Sequence, residues 1–178
     1  MNARLFALIT LVLRTLPANA QDSARAPEPV LDTMTSGPSF AFTGREDPQL
    51  LALVFRRTYE LAERPNGTTT VCLGLGPRNT IDAPAPVVQA LSSNDMSARP
   101  HSACTIAPGF RHFKVTESST GKLAFLINIT SIAHEHRDSV IVYSTYYVGV
   151  LWASGFACPA SRQHGQWALG TCKRRWIS

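Results

Sequence analysis

The chain lacks any apolar run of the roughly 20 residues that a membrane-spanning helix needs; the segment Leu5 to Leu13 falls short, and Arg14 ends it. It has no C-x-x-C spacing, so the usual four-cysteine metal frame is excluded. Gly74-Leu75-Gly76-Pro77 follows a strand-like run, yet there is no third glycine and no lysine after it, and Pro77 removes a backbone donor where a phosphate-binding loop would want one. That stretch reads as a turn. Ser154, in Ala153-Ser154-Gly155, lacks the G-x-S-x-G frame of a nucleophile elbow, which removes a serine hydrolase from consideration. No internal repeat and no second domain are visible. The excess of base over acid is mild, 17 Lys and Arg against 12 Asp and Glu, and it gives no ground for expecting nucleic acid as a partner.

The first residues are informative about compartment. A short basic start, Met1 to Arg4, runs into the apolar segment and ends at Ala18-Asn19-Ala20, the layout of a secretory signal peptide over residues 1–20. No cysteine follows that site, so a lipid anchor is not indicated. Cleavage there takes away Arg4 and Arg14 and no acid, and the formal net charge of +5 falls by two. Residues 21–45 are rich in Pro, Ser, Ala and Gly without apolar period and read as a flexible leader. Residues 46–178 are then enough for a single domain with a real core, expected in the bacterial periplasm or secreted.

Cys72, Cys104, Cys158 and Cys172 all lie beyond the signal peptide, and an even count in an oxidising compartment favours two disulfides. Cys158 and Cys172 sit symmetrically about Gly165, in a stretch that reads strand, turn, strand. A hairpin with a three-residue loop centred on Gly165 puts them opposite each other, at a separation a disulfide accepts. Cys72 then pairs with Cys104. With every thiol partnered, a Cys–His catalytic pair has no nucleophile.

Asp47-Pro48 marks a helix start, and Leu50, Leu51, Val54, Phe55, Tyr59 and Ala62 form one apolar stripe that should stop at Arg64-Pro65-Asn66-Gly67. Thr68 to Leu75 reads as a strand with Val71, Leu73 and Leu75 on one face and Cys72 on the other. A short helix capped by Asp82, with Pro84 and Pro86 in its first turn, follows, and Ser92 to Ser102 reads as loop. Strands are expected over 110–117, 122–132, 139–149, 151–161 and 167–177, with turns at Ser118 to Gly121, His134 to Asp138 and Gly165. Short connections demand antiparallel neighbours. The fold class is therefore α+β, an N-terminal helix packed on a curved antiparallel β-meander, with Gly149 and Gly155 marking bends.

Four candidate sites come with their plainer readings. His134 and His136 flank Glu135 and offer two imidazoles to copper or zinc, but they fall at an expected turn and no third ligand can be nominated, so a solvated turn is preferred and no metal is assigned. Tyr143, Tyr146, Tyr147 and Trp152 are the candidates for lining a pocket at the open end of the curved sheet, against the alternative of core and cross-strand pairs. Lys173-Arg174-Arg175-Trp176 offers charge to a phosphate or an anionic lipid surface, or else protects an edge strand from aggregation. Asn66-Gly67-Thr68 and Asn128-Ile129-Thr130 are glycosylation sequons. No catalytic residue and no cofactor is implied.

Tyr146-Tyr147-x-Gly149, Ala153-x-Gly155-Phe156-x-Cys158, Gly165-x-Trp167, Cys172 and Trp176-Ile177-Ser178 together resemble the ending of small exported bacterial proteins of uncharacterised function, in which a G-x-W hairpin and a terminal W-I-S close the sheet. The helix-then-meander order is similar to the NTF2-like, or cystatin-like, cone. The first resemblance covers about the last 35 residues and the second is one of architecture; neither carries functional residues, and fold-level likeness does not fix function. NTF2-like isomerases and dehydratases imply an Asp or His pointing into the cone, and none can be matched here. The leading expectation is a non-enzymatic binding or interaction module of the cell envelope, with a protein or small ligand as partner. The alternative is an NTF2-like small-molecule enzyme or ligand carrier with an aromatic-lined cavity.

Overall fold

The computed structural model describes residues 42, 46–63, 67–77, 80–93, 95–107, 114–149 and 152–177; the segments expected to be signal peptide and leader (all but residue 42), Asn66 and residues 110–113 of the strand expected over 110–117 lie outside them. Helix α1, Pro48–Leu61, starts as its sequence dictates: the Asp47 carboxylate accepts the Gln49 N–H at 3.0 Å and proline occupies the first turn, where its missing N–H leaves nothing unpaired. Leu50, Leu51, Val54, Phe55 and Tyr59 are all buried. Strands β1 (Thr70–Leu75) and β2 (Ile81–Asp82), helix α2 (Ala85–Leu91) and strand β3 (Ser97–Pro100) follow, then a single 3-10 turn over His101–Ala103. Strands β4 (Cys104–Ala107), β5 (Lys114–Glu117), β6 (Phe125–His136), β7 (Ser139–Gly149), β8 (Trp152–Gln163), β9 (Gln166–Leu169) and β10 (Lys173–Ile177) complete the order. Among the described residues no helix is long and apolar enough to cross a membrane.

The fold is α+β. Strands β6, β7 and β8 pair in antiparallel succession with β9 and β10 both along the far edge of β8, as expected of a meander. The strand expected over 110–117 departs from it, since β5 pairs with β4 and, at Lys114, with β7, and the sheet as a whole is mixed and runs β10-β8-β7-β6-β1-β2. β1 lies parallel to β6 and also parallel to β3, with α2 as the crossover between β1 and β3. This corrects two expectations. The stretch Ser92 to Ser102 is not all loop, because Ala98 pairs with Val71 and is buried, as is Met96. A four-residue strand ending in Pro100 is too short to show alternation. Asp82 does not cap α2 either. Pro84 holds the N-cap position, and the Asp82 carboxylate accepts the Ser102 N–H at 2.7 Å and the Ser102 hydroxyl at 2.8 Å.

One face of the sheet carries α1, which lies against β6, β7, β8 and β9. Phe55, Tyr59, Phe125, Tyr146 and Phe156 fill the space between, with Tyr59 stacked on Phe125 at 5.7 Å and Tyr146 on Phe156 at 6.1 Å. Thr58 and Ser144, the polar pair in this interface, satisfy each other at 2.7 Å. The opposite face bears a small cluster of Cys72, Val115, Ala124 and Leu126 beneath the β4–β5 ribbon.

Both disulfides are present, one on each face. The Cys158–Cys172 pairing holds, although the turn that makes it differs from expectation. β8 and β9 join through two residues, His164 and Gly165, with φ of 53° and 82°, and Gln163 pairs with Gln166. That register would leave Cys158 opposite Thr171. A one-residue shift between β9 and β10, from Ala160 opposite Leu169 to Ala157 opposite Lys173, restores Cys172 to the facing position at a Cα separation of 4.1 Å.

Candidate functional site

The aromatic residues proposed as a pocket lining do not share a space. β7 alternates, so Tyr146 is buried against α1 while Tyr143 and Tyr147 turn to the other face, and Trp152 is 52 % exposed at the start of β8. His134 and His136 are exposed at the end of β6, which extends into the first three residues of the expected turn; the chain reverses at Arg137-Asp138, within it. Among the described residues no three metal-ligating side chains come together. The basic segment 173–176 forms the terminal strand of the sheet order. Arg174 bonds Glu63 at 3.0 Å and lies over the Phe156 ring, and Trp176 covers Gly155. Asn128 sits in the middle of β6 with its carbonyl oxygen enclosed and unbonded, and it crowds Gly74 together with Thr80 and His101. Burial pushes the His101 imidazole below its ordinary value, with Asp82 opposing.

What the fold does bring together lies beside the Cys72–Cys104 bridge. In the β1–β3 register Cys72 faces Arg99, and in the β4–β5 register Cys104 faces Glu117. Joining the two cysteines, whose Cα atoms stand 6.1 Å apart, therefore sets Arg99 against Glu117. Arg99 Nε donates to Glu117 Oε1 at 2.9 Å, and its Nη1 donates to the Ala98 carbonyl at 3.0 Å. The second oxygen of Glu117 accepts the Thr120 hydroxyl at 2.7 Å. The Thr120 hydrogen bond first and the Arg99 guanidinium next hold the Glu117 carboxyl below its ordinary value, against a smaller opposing effect of burial.

The turn after β5 is itself braced. Gly121 N–H returns to the Glu117 carbonyl at 2.8 Å with a left-handed φ of 66°, and Ser118 N–H donates to the Ala103 carbonyl. Between this turn and the starts of β1 and β3 opens a shallow cleft of about 780 Å³. Thr68, Thr69, Thr70 and Ser97 line one wall; Ser119, Thr120, Lys122 and Leu123 line the other; Arg99 and Glu117 span them. Its lining offers the hydroxyls of both walls, the Arg99 guanidinium with the Glu117 carboxylate, and the exposed Lys122 ammonium. Sequence reasoning missed every one of these residues as functional. The available signal was the cysteine pairing, whose strand neighbours must also meet.

No protein-family model matches this chain, and neither does any curated protein or solved structure.

Proposed function

We propose that this chain is an exported, disulfide-stabilised binding module, residing in the bacterial periplasm or secreted, that takes a small polar ligand in the Arg99–Glu117 cleft and performs no chemistry on it. The observation that carries the reading is the fixed guanidinium: two of its three nitrogens are held by Glu117 and Ala98, so the group is oriented before any ligand arrives. Export is supported by the signal-like residues 1–20 and by the two disulfides.

The NTF2-like or cystatin-like reading rests on the order of a helix followed by a curled sheet. An enzyme of that kind implies space and an Asp or His on the helix side, where Phe55 and Phe125 are fully enclosed and Tyr146 is 2 % exposed. The buried polar pair there is Thr58 with Ser144. That filling favours the binding module. Backbone-amide NMR of the oxidised protein, titrated with a panel of small polar metabolites, tests the choice. Shifts grouped at residues 68–70, 97–99 and 119–123 are expected; shifts grouped on α1 and the inner face of β7 would support the cavity reading instead.

A further inference from the structure

We propose that the cleft binds a sugar acid: Arg99 and Lys122 take the carboxylate, and the serine and threonine hydroxyls of the two walls take the polyol. The inference rests on the reading of the cleft as a binding site and adds the class of ligand. Charge decides the acid. Arg99 and Lys122 supply two positive charges, Glu117 supplies one negative, and the surplus matches one carboxylate better than a neutral sugar or a phosphate dianion.

Geometry decides how that charge is met. With Nε and Nη1 committed, Arg99 Nη2 has no partner among the described residues, and its direction is fixed by the two bonds already made. A guanidinium held in this way presents a planar donor to an oxyanion at little entropic cost. Lys122 is exposed on the facing wall and adds an adjustable point charge. Hydroxyl side chains both donate and accept, so Thr69, Thr70, Ser97 and Ser119 suit a ligand whose own groups do the same. Leu123, 51 % exposed, offers an apolar surface to the C–H face of a ring.

The test is an NMR and calorimetric titration of the oxidised protein with glucuronate, glucose and glucose 6-phosphate in parallel. Glucuronate is expected to bind most tightly of the three and to shift the amides of residues 68–70, 97–99 and 119–123. Arg99→Gln should weaken it roughly tenfold or more, the order set by loss of a charge-assisted hydrogen bond. Lys122→Gln, at an exposed turn position that the fold does not depend on, should weaken it about threefold, the size of a solvent-screened charge contact. Equal binding of glucose, or tighter binding of glucose 6-phosphate, overturns the sugar acid while leaving the cleft as a binding site. Shifts outside the cleft, or none with any of the three, overturn both readings.

Discussion

Asp47 does three things at once: it caps α1 through Gln49 N–H, accepts Trp167 Nε1 at 2.8 Å, and accepts Arg162 Nη2 at 2.7 Å, while Arg162 also lies over the Trp167 ring. It thereby ties the start of the helix to the β8–β9 hairpin. Asp47→Ala should cost about 1–3 kcal/mol in urea denaturation, the range for a lost cap with further bonds to a charged group. Burial pushes the Asp47 carboxyl up, but the bonds from Trp167, Gln49 and Arg162 together bring it below its ordinary value. A carboxyl depressed on folding stabilises fully above its unfolded pKa and loses that contribution as the pH falls toward the folded one. Stability should therefore decline below the ordinary carboxylate range, and less steeply in Asp47→Asn, in acid titrations followed by circular dichroism. Two glycines give a contrasting pair. A Cβ at Gly155 meets the indole of Trp176, a surface side chain that can swing away, whereas one at Gly74 meets Thr80, Asn128 and His101 between paired strands. Gly74→Ala should cost about 1–3 kcal/mol as an overpacked site, and Gly155→Ala less than that, with its larger effect seen in Trp fluorescence.

Elements with a strong periodic signal were legible in the sequence. The stripe from Leu50 to Tyr59 and the cap Asp47-Pro48 place α1, and β7 has the bounds that its run of β-branched and aromatic residues implies, Ser139–Gly149. The facing of Val71, Leu73 and Leu75 away from Cys72 was equally readable, since a strand's period is two. β3 was not, because four residues ending in proline carry no period, and its parallel pairing depends on a crossover that only tertiary contacts reveal. Nor was the two-residue turn at His164-Gly165: counting from the cysteines returns the right pairing with either one bulge or a longer loop. The cleft was illegible for a related reason, since Arg99 and Glu117 are 18 residues apart and meet only through the registers of two strand pairs. The disulfides test this element by element. Cys158→Ser with Cys172→Ser should lower stability by about 2–4 kcal/mol and leave amide positions around Arg99 unchanged. Cys72→Ser with Cys104→Ser should lower it similarly but also displace the β4–β5 ribbon, seen as loss of slow amide exchange at residues 115–118.

For the molecule as a whole, the two bridges divide the work between the faces of one sheet. Cys158–Cys172 lies on the helix side and closes the C-terminal hairpin into the core, and Cys72–Cys104 lies on the other side and holds the ribbon that walls the cleft. Both the proposed compartment and the proposed site rest in part on that covalent arrangement. Oxidising surroundings allow the bridges to persist, and the second bridge sets Arg99 against Glu117. The most direct test is peptide mapping by mass spectrometry of unreduced protein, alkylated at low pH to trap any free thiol. The account predicts Cys72 linked to Cys104 and Cys158 linked to Cys172, with no alkylated cysteine; four alkylated thiols, or Cys72 joined to any other partner, would contradict it.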